Sequence, residues 1–428
     1  MQKKKSKKKV VCVIGLGYVG LPLAVRCVEK GYETYGLDMD KKKVDLINKG
    51  KSPIEEKFLE KYFPKTRPVA TTDEKIIKKA DIVLICVPTP VDKLYNPDLG
   101  PVKNAVEIVS RNLKKGALMV LESTVNPCVS EEVIAPIFES HKQKVDTDVH
   151  IAHCPERINP GDEKWDVTNL PRVVGSMDKK GLQIALDFYR SIVDAEIKPM
   201  KSIRAAEAVK IVENSFRDIN IAFVNELAKS FDKLDIDIKD VIEGASTKFS
   251  FMPHFPSCGV GGHCIPVDPY YLIERAKQSG FDHKFLKIAR ETNNSMPIYT
   301  VDLLRDALKK NNISIKKAGI GILGISYKSN VDDVRESPYF KILENLKKYT
   351  SNILSFDPHV ARLSNVKNIN ELLKKTKALI VVTGHKEFKK LDPKTFKKSG
   401  VKVIVDGANC LDKDAIKKTG VIYKGIGR

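Results

Sequence analysis

Val10-Val11-Cys12-Val13-Ile14-Gly15-Leu16-Gly17-Tyr18-Val19-Gly20 is the stretch whose reading decides the fold. Five apolar residues running straight into glycine read as a strand buried on both faces of a parallel sheet. Gly15 allows a tight turn, Gly17 lets the backbone approach a pyrophosphate, and Gly20 allows close helix packing. A helix opening near Tyr18 offers its N-terminal amides, from Tyr18 and Val19 onward, to the phosphates. A second strand over 33–37 ends in Asp38, where an acid bonds both ribose hydroxyls and repels a 2′-phosphate. NAD is therefore expected over NADP, although Lys41, Lys42 and Lys43 follow closely. A lone GxGxxG is weak evidence; strand, glycines, helix, strand and acid in series are strong.

Outward from this unit the alternation continues, with strands expected at 82–87, 117–121 and 150–152 and helix-like segments between them. Ligands gather at the carboxyl ends of such strands, and these ends carry Pro88-Thr89-Pro90, Glu122-Ser123-Thr124 and His153-Cys154-Pro155-Glu156-Arg157. A strand-helix-strand unit over 172–198 completes the first domain near residue 200. From Ser202 the period changes to helical: Ala206, Val209, Val212, Phe216, Ile219, Phe223, Leu227 and Phe231 recur with no Pro or Gly between them. One long helix is expected, with Lys210, Asn214 and Arg217 on a shared face. A second helical stretch covers 283–311. A new α/β unit begins at Ala318, with strands at 352–356, 378–382 and 402–406; it has no full GxGxxG after its first strand, so it is expected to hold something other than a second dinucleotide. The fold class is α/β: two doubly wound Rossmann-like domains joined by a helical middle domain. The expected bounds are 1–9 for a disordered Lys-rich tail, 10–200 for NAD binding, 201–310 for the helical and dimerising part, and 311–428 for the last domain.

Between the two helical stretches lies FPSCGVGGHCIPVDPYYL, Phe255 to Leu272. A thiol among Gly259, Gly261 and Gly262 is poorly placed as core filling and well placed to meet a substrate, which makes Cys264 the candidate nucleophile. Asp268 stands four residues on, just before a Pro-Tyr-Tyr run that can open a helix, with His263 beside the thiol. The competing reading is a structural turn holding an inert cysteine.

With 428 residues and 42% apolar content the chain is large enough for two or three cores. No apolar run reaches the ~18–20 residues that cross a bilayer, and the N-terminus MQKKKSKKKV has no h-region, so a soluble cytoplasmic protein is expected, without a membrane partner. The eight cysteines are scattered without CxxC pairs or ligand-like histidine spacing, so reduced thiols and no metal are expected. The net charge of +20 raises the question of a nucleic-acid partner. The excess is mostly Lys, spread in short pieces without aromatic interleaving, and reads as a solvated surface that favours small anions instead.

With these motifs in place, the sequence resembles the UDP-glucose/GDP-mannose dehydrogenase family over nearly its whole length after the leader. VIGLGYVGLPLA resembles the family's NAD loop, VPTP and ESTV its strand-end segments, and CPERINPG its glutamate loop. NSFRDINIAFVNEL resembles its long helix, GVGGHCIPVDPYYL its cysteine loop, and GISYKSNVDDVRESP its C-terminal nucleotide-sugar signature. The resemblance implies oxidation of the C6 hydroxyl of a UDP-sugar to a carboxylate with two NAD. Cys264 would attack the C6 aldehyde to give a thiohemiacetal and then a thioester, Lys210 and Asn214 would stabilise oxyanions at C6, Asp268 and Thr124 would order a water, and Glu156 would assist hydrolysis. It also implies nucleotide-sugar contacts from Arg157, Ile158, Lys210, Asn214, Arg217, Gly261, Tyr327 and Lys328. Cofactor contacts would come from Gly15, Gly17, Tyr18, Val19, Gly20, Asp38, Lys43, Thr89, Thr124 and Arg335, the last at the cofactor or a neighbouring subunit's site. Apart from the resemblance, the unbroken apolar face between Ala206 and Phe231 needs cover, so a homodimer or higher homo-oligomer with the long helix in its core is expected.

Cys128 stands where the family's STVxPG pattern has Gly, and Ser257-Cys258 replaces Gly-Pro. The helix and cysteine loop resemble enzymes acting on UDP-N-acetylhexosamines; Ser246-Thr247-Lys248-Phe249-Ser250 lacks the His-Pro-Arg element of the UDP-N-acetylmannosamine branch and leans toward the UDP-N-acetylglucosamine branch. The two epimers stay open. UDP-glucose is the alternative substrate, and a non-catalytic NAD or nucleotide-sugar sensor the alternative of another class, opposed by the retention of Cys264, Lys210, Asp268 and Glu156.

Overall fold

The computed structural model describes residues 9–54, 56–92, 96–157 and 164–428, so the lysine leader of 1–8 and Ile158 lie outside the described residues. The chain divides into two compact units, Met1–Glu213 with Tyr270–Gly280, and Asn214–Pro269 with Phe281–Arg428.

In the first unit the strands are β1 (Val10–Ile14), β2 (Glu33–Leu37), β3 (Val69–Thr71), β4 (Ile82–Ile85), β5 (Ala117–Leu121), β6 (Val149–His153), β7 (Arg172–Ser176) and β8 (Ile197–Pro199). They form one sheet in the order β3-β2-β1-β4-β5-β6-β7-β8. Both faces are covered, as the unbroken apolar strands require. Val11 and Val13 share one core with Leu84, Val120 and Ala152, and Cys12 and Ile14 share the other with Val83, Ile85, Met119 and Ile151. Ile14 pairs with Leu37 on one side and Ile85 on the other, so the glycine turn and Asp38 leave the sheet at one edge, where the strand order reverses.

Two expectations need correction here. The fingerprint helix runs Gly20–Glu29, two residues later than Tyr18; residues 17–19 form a turn whose Gly17 and Val19 carbonyls accept from Leu21 and Leu23 N–H. The sheet is also not wholly parallel, because β7 runs antiparallel to β6, Ala152 facing Ser176. The connection between them has no helix among its described residues, and only a parallel return requires such a crossover.

The long helix spans Ile203–Leu234, beginning in the first unit and continuing in the second. Its inward positions include Ala206, Ile211, Ala222, Val224 and Ala228, but also the polar Glu207, Lys210, Asn214, Asp218 and Asn225. Three of the apolar positions singled out by periodicity, Val212, Phe216 and Phe223, are 55%, 42% and 54% exposed. In the second unit the helix Lys284–Lys310 returns over the expected span, with Pro297 inside it.

The second sheet holds β9 (Ile320–Leu323), β10 (Ile353–Phe356), β11 (Ala378–Val381), β12 (Val403–Asp406) and β13 (Ile422–Gly425), all parallel, in the order β10-β9-β11-β12-β13. Leu323 pairs with both Phe356 and Val381, which puts Gly324 and Asp357 at this sheet's own point of reversal. Asp357 Oδ2 accepts from Ile325 N at 2.6 Å, Ser326 N at 2.9 Å and His385 Nε2 at 3.0 Å. β13 was not expected from the sequence. Among the described residues no helix is long and apolar enough to cross a membrane.

Candidate functional site

In the first unit the turn after β1 has the form a dinucleotide needs. Gly15 sits at φ +88°, and a Cβ there would come within 2.7 Å of the Cys86 carbonyl oxygen. At Gly17 a Cβ would meet nothing within 4 Å, so the space above the turn is left to a ligand. Asp38, at the end of β2, accepts from Leu16 N at 2.8 Å and from Lys43 Nζ at 2.7 Å through Oδ2, and from Asp40 N at 3.0 Å through Oδ1. Burial alone would raise this carboxyl; the Lys43 ammonium and the amides of Asp40 and Leu16 outweigh it and hold the group below its ordinary range. Lys43, expected as a cofactor contact, is thus tied to the acid beside it. These residues fit NAD, with an ionised carboxylate where the ribose hydroxyls would lie.

The neighbouring strand ends are pinned. Ser123 Oγ donates to Val87 O at 2.7 Å, and Tyr271 Oη donates to the carbonyl of Thr89 at 2.9 Å, fixing the segment that carries Thr89. Thr124 is half-buried at the head of the 124–130 turn. Glu207 of the long helix closes that turn by accepting from Cys128 N at 2.7 Å and Ser130 N at 2.8 Å. Cys128 has φ +79°, the left-handed conformation that explains why glycine suits this place. Burial pushes the Glu207 carboxyl up to about 7, against the pull of Ser130 and the two amides. Three residues further along the helix, Lys210 is 9% exposed, and its ammonium has no hydrogen-bond or ion-pair partner among the described residues.

Glu156 is 7% exposed; its Oε1 accepts from Arg157 N at 2.6 Å and its Oε2 from Arg172 Nη2 at 3.1 Å. The Arg157 guanidinium is committed to Glu213 at 2.5 Å and to the Pro171 carbonyl at 2.8 Å. Sequence reasoning had no signal for Arg172, which lies far from every motif.

In the second unit the cysteine loop is held at both ends while its thiol stands exposed. Ser257 N donates to Asn225 Oδ1 at 2.9 Å, and Asn225 is in turn linked to Asn293 and, through it, to Asp218 and Arg290. Cys258 N donates to Gly407 O at 2.8 Å, and the side chain is buried at 1% exposure, its thiol pushed up to about 12 by burial. The glycines make room for the chain itself as well as for a ligand. A Cβ on Gly261 would lie 2.6 Å from Tyr327 Cβ, and one on Gly262 2.8 Å from the Tyr327 ring, while Gly262 N donates to Arg335 O at 3.0 Å. The loop therefore packs on the 327–338 segment, with Gly261 against Tyr327, Glu336 and Pro338 and Gly262 against the Tyr327 ring. Arg335 forks onto Asp333, with Nη2 to Oδ2 at 2.6 Å.

Cys264 O accepts from Asp268 N at 2.8 Å as the next helix, Asp268–Gln278, begins. Asp268 is 4% exposed, and its Oδ2 accepts from Asn214 Nδ2 at 2.5 Å. Arg217, expected to share a face with Lys210 and Asn214, is exposed, whereas those two are buried. A further group that sequence spacing did not point to is His359, His385 and Glu387, with one ligand atom of each within 4.8 Å of the others. Both His385 nitrogens are already engaged, Nδ1 by Asn330 N at 2.9 Å and Nε2 by Asp357, so the histidine serves the 325–330 loop.

A dinucleotide cradle at one point of strand reversal and an exposed thiol on a glycine loop place the chain in the class of NAD-dependent oxidoreductases. Residues 9–193 match the NAD binding domain of the UDP-glucose/GDP-mannose dehydrogenase family, 204–295 its central domain and 321–413 its UDP binding domain. The chain belongs to that family and is an NAD-dependent nucleotide-sugar dehydrogenase. It is 35% identical over 437 residues to the UDP-N-acetyl-D-mannosamine dehydrogenase of Methanococcus vannielii, covering 99% of this chain and 98% of that one. It is 34% identical over 389 residues to the UDP-N-acetyl-D-glucosamine 6-dehydrogenase of Salmonella typhi, covering 89% and 91%. Among solved structures it is similar to the UDP-D-ManNAc dehydrogenase of Pyrococcus horikoshii, with a TM-score of 0.92, 33% identity, and 98% and 99% of the two chains covered.

Proposed function

We propose that this protein oxidises the C6 hydroxyl of a UDP-N-acetylhexosamine, the N-acetylglucosamine or the N-acetylmannosamine form, to the uronic acid through a thiohemiacetal and a thioester on Cys264. The observation that carries the reading is the exposed Cys264 on a braced glycine loop, its carbonyl bonded to the amide of a buried Asp268. The names of the Methanococcus vannielii and Salmonella typhi relatives support the sugar class.

Bound NAD supplies the hydride acceptor, and two are used per sugar. Thr124 and Asp268 order the water that takes the C6 hydroxyl proton, with Asn214 fixing the Asp268 carboxylate. The Cys264 thiolate adds to the C6 aldehyde, and the Lys210 ammonium and the Asn214 amide stabilise the oxyanion that forms. After the second oxidation water adds to the thioester carbon, the C–S bond breaks, the thiolate leaves, and Glu156 takes the water's proton. Asp38 binds the adenosine ribose. Arg157, Arg217, Gly261, Tyr327 and Lys328 hold the nucleotide sugar, with Arg335 serving the cofactor or a neighbouring subunit's site.

The same reading assigns 10–200 to NAD, 201–310 to a central dimerising part and 311–428 to the UDP-sugar, in a cytoplasmic homodimer or higher oligomer. The exposed Phe216 and Phe223 on the long helix and Phe285 on its neighbour support self-association.

The test is NADH release with UDP-N-acetylglucosamine, UDP-N-acetylmannosamine, UDP-glucose and GDP-mannose, for the wild type and Cys264→Ser. One of the two UDP-N-acetylhexosamines should give two NADH per sugar, and the variant should bind it while forming no acid. Preference for UDP-glucose, or wild-type turnover by the variant, would refute the proposal.

A further inference from the structure

Three neighbouring strands of the second sheet, β10, β9 and β11, end beside one another, and the loop that leaves the central one, residues 325–330, is gripped from both sides. On the β10 side Asp357 Oδ2 accepts from Ile325 N at 2.6 Å and Ser326 N at 2.9 Å, where the loop starts. Beyond β11 stands His385, 0% exposed. Its Nδ1 meets Asn330 N at 2.9 Å, where the loop ends, and its Nε2 meets Asp357 Oδ2 at 3.0 Å and Ser326 Oγ at 3.2 Å. One imidazole thus spans the loop from its first residues to its last. Tyr327 and Lys328 lie between those two points.

The partners fix where the ring carries its proton. A backbone N–H only donates, so Nδ1 offers Asn330 a lone pair; a carboxylate only accepts, so Nε2 carries the hydrogen. The ring packs against Phe388 and His359, with centroids 5.3 and 4.9 Å away. Asn330 has φ +62°, and its Oδ1 accepts from Lys386 N at 3.1 Å. Inside the loop Ser326 Oγ donates to Lys328 O at 3.0 Å, and the Ser326 carbonyl accepts from Thr383 Oγ1. The two ends are held unequally. The start has two amides on Asp357 whatever stands at 385, whereas the end depends on Nδ1 and on the Lys386 amide.

We propose that His385 is a positioning residue for the nucleotide sugar: by accepting from Asn330 N it holds the 325–330 loop in the shape in which Tyr327 and Lys328 meet the UDP-sugar. The proposal rests on the reading that these two residues hold the nucleotide sugar. His385 acts through the loop backbone rather than by contact with the substrate. Without its bond to Asn330 the loop keeps the competent shape for only part of the time, and the dissociation constant rises by the inverse of that fraction.

The test is calorimetric titration of the full-length protein with UDP, UDP-N-acetylglucosamine and UDP-N-acetylmannosamine, and separately with NAD. His385→Gln brings an amide N–H toward the Nε2 position, so it keeps the donor for Asp357 and loses the acceptor for Asn330; UDP should bind about tenfold more weakly. His385→Asn keeps a carbonyl oxygen toward the Nδ1 position and should bind UDP within about threefold of the wild type. NAD should bind both variants as it binds the wild type. UDP bound equally by His385→Gln and the wild type overturns the proposal. So does an equal loss in the two variants, which is the mark of packing alone. If neither variant folds, the exposed Asn330 repeats the test. Asn330→Ala is strained at this φ and should bind UDP about tenfold more weakly than Asn330→Gly, which keeps both the amide and the left-handed backbone; equal affinities overturn the proposal. Tyr327→Ala and Lys328→Ala separate the two levels. If both bind UDP and the two UDP-sugars like the wild type, the reading that this loop holds the nucleotide sugar fails; if they bind weakly while His385→Gln does not, only the present proposal fails.

Discussion

Asn214 donates to the Asp268 carboxylate at 2.5 Å, and both side chains are buried, one on the long helix and the other at the first residue of the helix that follows the cysteine loop. Asn214→Leu keeps the branched outline of the side chain and removes the donor. We expect kcat to fall about ten- to hundred-fold while the KM for the nucleotide sugar stays within about threefold. Stability should drop by about 1–3 kcal/mol, because the Asp268 oxygen loses a buried partner. Steady-state kinetics and urea unfolding check both, and an unchanged kcat would return the pair to a purely structural role.

Asp38 holds Lys43 in an ion pair, and the proposed function places the adenosine ribose of NAD against this carboxylate. NADP should be the poorer cofactor, since its 2′-phosphate would confront this carboxylate. Asp38→Ser removes the repulsion and releases Lys43, so the ratio of kcat/KM for NADP over NAD should rise at least about tenfold. Equal initial rates of the wild type with the two cofactors would mean that Lys43 neutralises the phosphate and that Asp38 does not discriminate.

Glu207 is an acid raised by burial, so the folded state binds its proton more tightly than the unfolded chain does. Between its ordinary value, 4.5, and about 7 the native state therefore carries the extra proton, and stability declines as pH rises through this window. Glu207→Gln cannot ionise. Denaturant unfolding at about pH 5 and about pH 8 should show a loss on the order of 2 kcal/mol in the wild type and a smaller loss in the variant. Parallel behaviour of the two proteins would assign the pH dependence elsewhere.

Phe216 and Phe223 are 42% and 54% exposed on one helix. If a second copy covers them, Phe223→Glu should shift sedimentation at micromolar protein from dimer toward monomer. A wild type that sediments as a fully active monomer would remove the proposed interface.

Cys128 holds a left-handed backbone at φ +79°, with its amide bonded to Glu207. Cys128→Gly should be about 1 kcal/mol more stable than Cys128→Ala, since only glycine adopts that conformation without strain. Thermal unfolding of the two variants decides the matter, and equal midpoints would show that the turn relaxes instead.

The parts legible in the sequence were those where one local constraint forces a residue type. β1, its glycines and Asp38 were readable because backbone approach and φ sign leave few substitutes, and the helix Lys284–Lys310 because its period is sustained. The direction of β7 was not, since a buried strand has the same composition whichever way it runs. The long helix was placed correctly, but what its inward polar positions hold was not legible: the apolar stripe through Val212, Phe216 and Phe223 is exposed, while Glu207, Asn214, Asp218 and Asn225 point inward. Their partners, the Cys128 and Ser130 amides, Asp268, Arg290, Asn293 and Ser257, come from distant parts of the chain, and no window of sequence contains them. Arg172 with Glu122 and Tyr189 was illegible for the same reason.

The two sheets use one device for different ends. In each, an acid at the close of the strand beside the central one accepts an amide from the loop that leaves the central strand: Asp38 from Leu16, Asp357 from Ile325 and Ser326. Asp38 has Lys43 at its side, whereas Asp357 is capped by His385, with burial opposed by that histidine and two amides, and held far below the usual carboxylate range. Asp357 is 1% exposed and accepts through both oxygens, leaving nothing with which to greet a sugar hydroxyl. The same architectural slot thus carries a lysine-paired carboxylate in one half and a fully engaged rivet in the other. An acid found there in a related chain says little about cofactor binding until its neighbours have been read.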